Sequence, residues 1–125
     1  MQNSDNPKVS LLVPICNVER YLRECLDSAV AQTLKDIEII CINDGSTDSS
    51  PDIIREYMER DPRVKMIDKA NSGYGDSMNC GLEMARGEYV GILESDDFMF
   101  EDSLKKLVAK ADAEHADVVK GDFYL

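Results

Sequence analysis

Short β-branched runs alternate with helix-spaced apolar stripes along nearly the whole chain, and that alternation leaves few folds open. Residues 9–15 (VSLLVPI) and 37–42 (IEIICI) carry the composition of buried strands. Residues 64–67 (VKMI), 89–93 (YVGIL) and 117–123 (DVVKGDF) are weaker runs of the same kind. Between the first two, Tyr21, Leu22, Cys25, Leu26, Ala29 and Val30 fall on one helical face. Ile53, Ile54, Tyr57 and Met58 repeat the pattern behind Ser50-Pro51, which has the order of an N-cap followed by proline at the first helical position. A third helix is expected over residues 76–85, with Met78, Leu82 and Ala85 facing inward, Gly81 at a tight contact and Gly87 as its end. A fourth, near 101–114, would bury Leu104, Leu107, Val108 and Ala111. It would set Glu101 and Asp102 in its first turn and Lys105, Lys106 and Lys110 beyond, with His115 a structural residue at its end.

Strands and helices in strict alternation predict a doubly wound α/β fold, a mainly parallel sheet with helices on both faces. At 125 residues there is room for one such domain, residues 8–125 behind an N-terminal tail of residues 1–7. Ligands of these sheets bind beyond the carboxyl ends of the strands, so the loops that follow each strand are where chemistry is expected.

Composition narrows the partners. A formal charge of −11 opposes a nucleic-acid partner, whose phosphates demand lysine and arginine. The longest apolar runs, such as residues 39–42, fall far short of the roughly 20 residues of a membrane span. No basic-then-apolar leader opens the sequence, so a cytoplasmic location is expected. Cys16, Cys25, Cys41 and Cys80 lack zinc-site spacing, and Cys25 and Cys41 sit among apolar neighbours as small core residues.

Three strand-following loops are rich in polar residues: Pro14 to Glu19, Asn43 to Asp48, and Glu94 to Asp97. Glu94, Asp96 and Asp97 would repel one another at a strand mouth unless a cation joined them. In extended chain, residues two apart project to the same side, so Glu94 and Asp96 could share a ligand complex, one on a metal and one on a sugar hydroxyl. Oxygen ligands alone select a hard ion, Mg2+ or Mn2+. The competing interpretation makes these acids a solvated turn capped by Ser95 or Asp97. Asp44 could accept the ring N–H of a uracil-type base, while Asn17 serves equally as a cap of the first helix and Glu19 as a solvated first-turn acid. Asn71 and Asn79 flank a glycine-containing segment that lacks the spacing of a phosphate-binding loop.

Taken in register, VSLLVPICNVERYLRECLDSAVAQTLKDIEIICINDGSTDSS, then NSGYG, then MNCGLEMARGEYVGILESDD resemble the family 2 glycosyltransferases over roughly residues 8 to 122. That resemblance implies the GT-A (nucleotide-diphospho-sugar transferase) fold and transfer of a sugar, with inversion, from a nucleoside-diphosphate donor to an acceptor hydroxyl. A UDP-sugar is the first expectation, in polysaccharide or cell-envelope glycan synthesis. Pro14, Asn17 and Glu19 match the first donor-binding loop, Asp44 the base-recognising acid, and Asn71 and Asn79 the polar positions of the glycine segment. Glu94, Ser95 and Asp96 match the D-x-D motif, with Asp96, and Asp97 beside it, as metal ligands.

Four positions depart from the commonest pattern: Cys16 for an aromatic, Asn43 for Asp, Met78 for Arg and Glu94 for Asp. By the same resemblance the catalytic base and the acceptor-binding half lie beyond Leu125, so the chain is expected to be a truncated, donor-binding part that is inactive alone. The longer protein would use a glycan or lipid-linked acceptor at the inner face of the membrane, and the truncated face would favour self-association. Three alternatives compete, a receiver-like signalling domain, a nucleotidyltransferase, for which the glycine-rich, basic loop after the first strand is lacking, and a non-catalytic nucleotide-binding module. The receiver would need acids after the first strand, where Pro14, Cys16 and Asn17 stand.

Overall fold

The computed structural model describes residues 6–114 and 118–119. The order is β1 (Val9–Ile15), α1 (Glu19–Val30), β2 (Ile37–Asp44), α2 (Ser50–Arg60), β3 (Val64–Lys69), α3 (Tyr74–Met84), β4 (Tyr89–Ile92), α4 (Ser103–Glu114) and β5 (Val118–Val119). The expected final strand over 117–123 is thus described only at residues 118–119, and His115 and residues 1–5 of the tail lie outside the described residues.

All strand pairs are parallel, in the order β3-β2-β1-β4-β5. Val9 aligns with Ile37 on one side and with Tyr89 on the other. The chain winds outward from β1 to β3, then returns to the far side of β1 as β4. A switch point therefore lies between β1 and β4, where an open α/β sheet leaves a crevice.

β1 and β2 are buried at every position, as central strands covered on both faces must be. Leu11, Val13, Ile39 and Cys41 join Leu22, Leu26, Ile54, Leu104 and Val108 in the larger core under α1, α2 and α4. Leu12, Ile40 and Ile42 alternate to the opposite face and meet Met78 of α3.

On that second face the inward stripe of α3 differs from expectation. It buries Ser77, Met78 and Gly81, whereas Leu82 is 49% exposed. A Cβ at Gly81 would sit 3.1 Å from both Leu12 Cδ1 and Ile42 Cδ1, so the missing side chain lets the helix axis approach the sheet and turns Leu82 outward. Tyr21 and Met58 are likewise exposed, each one position off the buried stripe of its helix, and Leu107 is half-buried.

Helix ends also differ. α2 starts at Ser50, with Ser49 as its N-cap residue, and α4 starts at Ser103, which leaves Glu101 and Asp102 in the preceding turn. α3 ends at Met84, and Gly87 serves another purpose: a Cβ there would meet Ser10 N at 2.5 Å. At that amino edge of the sheet, buried Glu38 accepts Ser10 Oγ–H at 2.5 Å, Lys65 Nζ–H at 2.7 Å and Arg86 N–H at 2.6 Å.

Candidate functional site

At the opposite, carboxyl edge, the loops after β1 and β2 are bonded to each other. Asn17, whose φ is +53°, accepts Thr47 N–H at 2.7 Å and Asp48 N–H at 3.3 Å through Oδ1. Asp48 Oδ2 accepts Glu19 N–H at 3.1 Å, and Glu19 Oε1 accepts Ser49 N–H at 2.9 Å. Ser50 Oγ accepts Val18 N–H at 3.2 Å. These bonds satisfy N–H groups at the starts of α1 and α2 from across the gap, which no cap residue of either helix does. Asn17 and Glu19 are therefore occupied in joining two loops, and Asn17 does not cap α1. Their effect is to hold the segment from Pro14 to Val18 still.

Asp44 closes the end of β2. It is 6% exposed, and its Oδ1 accepts Lys69 Nζ–H at 2.6 Å and Ser72 N–H at 2.8 Å while Oδ2 accepts Gly73 N–H at 3.1 Å. The Lys69 ammonium first, and then the Ser72 and Gly73 amides, hold the carboxyl below its ordinary range despite burial. It is an anion with three of its roughly four acceptor positions filled, and the open one is on Oδ2. The β3–α3 loop that surrounds it is pinned in turn. Asn71 Nδ2–H donates to Asp44 O at 3.1 Å, and the Asn71 backbone rests against Gly45, whose φ is +66°.

Past β4, Leu93 N–H still pairs with Leu12 O at 2.9 Å, and then Asp97 N–H bonds back to Glu94 O at 3.0 Å. The segment is a turn, not the extended stretch expected from the sequence. Glu94, Ser95 and Asp96 nonetheless line one cleft with Pro14, Ile15, Cys16, Val18, Asp44, Tyr74 and Ser77. Its volume is about 290 Å³, at the lower bound of small-molecule sites, so it would enclose part of a nucleotide sugar. Tyr74 O–H reaches across from the first turn of α3 to Glu94 Oε2 at 2.7 Å, and partial burial followed by that carboxylate pushes the phenol up to about 12.

Five of the expected residues, Pro14, Asp44, Glu94, Ser95 and Asp96, thus meet in the cleft. Asn17, Glu19 and Asn71 support its walls, and Asp97 and Asn79 are not among its lining residues, Asn79 being exposed on α3. Among the described residues no three acids, histidines or cysteines converge as a metal site. The sequence reading missed the lining by Tyr74 and Ser77: a helix expected from residue 76 leaves Tyr74 outside it, and Ser77 is a small residue with no signal of its own. With Gly73 as the residue before the helix, these two fall one turn apart on the same side.

The model of the family described as Glycosyl transferase family 2 matches residues 10–125. An uncharacterized glycosyltransferase EpsJ of Bacillus subtilis is 42% identical over 118 residues, covering 94% of this chain and 34% of that protein. The structure of S. aureus TarS 1-349 in complex with UDP-GlcNAc superimposes with a TM-score of 0.75 at 32% identity, over 86% of this chain and 32% of that one. The mannosyltransferase PcManGT of Pyrobaculum calidifontis, in complex with GDP-Man and Mn2+, gives 0.75 at 26% identity, over 85% and 32%. This chain spans about a third of the length of each.

Proposed function

This chain belongs to glycosyl transferase family 2, and from that membership we propose that it is the donor-binding part of an inverting glycosyltransferase. In this reading it holds a nucleoside-diphosphate sugar, a UDP-sugar first, for transfer to a glycan or lipid-linked hydroxyl in polysaccharide or cell-envelope synthesis. The observation that carries it is the shared cleft: Asp44 at the end of β2 and Asp96 past β4 line one crevice at the switch point. The nucleotide sugars bound by the solved relatives support the substrate class.

Within the cleft, the open acceptor position on Asp44 suits a base N–H, and Pro14, Ile15 and Val18 supply an apolar wall for its ring. Glu94, Ser95 and Asp96 address the ribose and the diphosphate. A divalent cation fits this donor set as an ion that arrives with its ligand. Of the three carboxylates in the cleft, Asp44 is engaged by Lys69 and the β3–α3 loop, and the remaining two, Glu94 and Asp96, are too few for an all-protein cage, but with phosphate oxygens they make the kind of site magnesium and manganese use. Asp96, with Asp97 beside it, would hold the ion, and when bound it would neutralise charge on the leaving diphosphate. The base that deprotonates the acceptor belongs to the remainder of the longer protein, and the chain alone binds donor without completing transfer.

No helix among the described residues is long and apolar enough to cross a membrane. We place the reaction on the cytoplasmic side, at the inner face of the membrane, and expect exposed Leu82 and Met84 to favour self-association of the isolated chain. A receiver-like role gains no support, since Asp68 at the end of β3 is bonded to Asn43 Nδ2 at 2.8 Å and lies outside the cleft.

Calorimetric titration of the chain with UDP, GDP and CDP, with and without Mn2+, tests the reading. One diphosphate should bind in a metal-dependent way, and Asp96→Ala should abolish the metal dependence. Weak, equal, metal-independent binding of all three would leave a scaffold without donor-binding activity.

A further inference from the structure

One polar atom in the cleft has no partner. Ser77 is 1% exposed and is one of the residues that line the cleft, yet its Oγ is the sole buried side-chain polar atom without a hydrogen bond among the described residues. Its amide is already used, donating to Gly73 O at 3.0 Å. A buried hydroxyl in this state destabilises a fold, and an alanine of nearly the same shape would remove the cost. Serine at this place therefore calls for a use outside the folded chain's own bonding.

The neighbours indicate which part of a ligand it meets. Asp44, with its one open acceptor position, lines the same cleft, as do Pro14, Ile15 and Val18, while no lysine or arginine does. A phosphate beside Asp44 would find no free cation in the cleft among the described residues, since Lys69 is already paired with that carboxylate, whereas a neutral ring carrying N–H next to C=O needs none. The acids of the β4 end, which suit a metal and its diphosphate, form a separate group. Access runs past a side chain that must move. Tyr74 lies three residues before Ser77 on the same helix face, is 50% exposed, and is tied to the far wall by its bond to Glu94.

Resting on the nucleotide-sugar reading above, we propose that Ser77 is a base-recognising residue, its hydroxyl donating to a carbonyl oxygen of the base whose ring N–H is accepted by Asp44. The pair then reads the imide edge of a uracil-type base.

Titration of the chain and its Ser77→Ala variant with UDP and with UMP, in Mn2+, tests this beside thermal melting of both proteins. The variant should lose affinity for UDP and UMP by the same factor, about five- to tenfold for one lost hydrogen bond, with a melting temperature unchanged or raised. A loss confined to UDP would put the hydroxyl on the diphosphate and overturn the assignment. Undiminished binding of both nucleotides would overturn it while leaving the donor-binding reading intact. Failure of the wild-type chain to bind any nucleotide would bring down both.

Discussion

Gly45→Ala probes how the cleft is held open from behind. Gly45 follows Asp44 directly and opens the loop between β2 and α2, with φ at +66°. An L residue there is strained by about 1–2 kcal/mol, of which about 0.4–1 kcal/mol returns because alanine also restricts the unfolded chain. Sterics add to this. An alanine Cβ would meet Asn71 N at 2.6 Å, Asn71 Cβ at 2.8 Å and Asn71 Cα at 2.9 Å, and overpacking against a neighbour costs about 1–3 kcal/mol. Because the neighbour is backbone, which cannot rotate away, the upper half of that range applies, and the sum is about 2–4 kcal/mol.

Two readouts separate strain from crowding. In urea unfolding, Gly45→Ala should lower stability by that amount, and Gly45→Asn, whose side chain tolerates the left-handed region, should recover little because its Cβ makes the same collision. The relief available is to push the β3–α3 loop outward, which would pull the Ser72 and Gly73 amides away from Asp44. UDP affinity should therefore fall in both variants, even in buffer where they remain folded. Stability restored by asparagine would show that dihedral strain alone makes glycine necessary, and full UDP affinity in Gly45→Ala would refute the link between this contact and the cleft.

At the other edge of the sheet, burial raises the Glu38 carboxyl, but Lys65, Ser10 and the Arg86 amide together outweigh it and leave the group below its ordinary range. A lowered folded value contributes stability above the unfolded pKa, near 4.3, and loses it as pH falls through the folded value. Glu38→Gln should accordingly cost about 1–3 kcal/mol at neutral pH, and the gap to wild type should close only below about pH 4; a gap that stays constant to pH 2.5 would contradict this. Tyr74→Phe frees Glu94, and metal-dependent UDP affinity should rise about two- to fivefold for the one bond no longer broken on binding. Lower affinity at an unchanged melting temperature would instead make the phenol a ligand contact. With N-ethylmaleimide and mass spectrometry, exposed Cys16 should label readily and be protected by UDP, while Cys25 and Cys41, fully buried and with thiols pushed up by burial, should react only on unfolding. Labelling of Cys41 in the native protein would contradict its place in the core.

How much of this is legible in the sequence depends on whether a residue's role is set by its own segment. β1 and β2 are rich in apolar, β-branched residues on both faces, as only a buried central strand is, and both are recognisable. The wide alternation also identified the carboxyl edge as the place for Asp44, Glu94 and Asp96. Helix phase was harder. The apolar count favours Leu82 as the inward residue, but the contact of Gly81 with Leu12 and Ile42 decides the rotation of α3, and it joins residues far apart in sequence. The segment from Glu94 to Asp97 departs from the expected extended chain where Asp97 N–H bonds back to Glu94 O, a contact that composition does not signal.

Asn17 and Glu19 illustrate a more general difficulty. A loop residue that touches a ligand and one that steadies the residue touching it have the same polar composition, and their positions here are two and four residues past Ile15. Only the partners distinguish them: Thr47, Asp48 and Ser49 amides for these two, the open cleft for Pro14 and Asp44. Ser77 is the converse. By composition it is an unremarked small residue in a helix, and what marks it is a bond that it does not make. Where the described residues satisfy every buried side-chain polar atom but one, a hydroxyl left open in the same crevice as an open carboxylate position is hydrogen-bonding capacity kept for something that is not part of the chain.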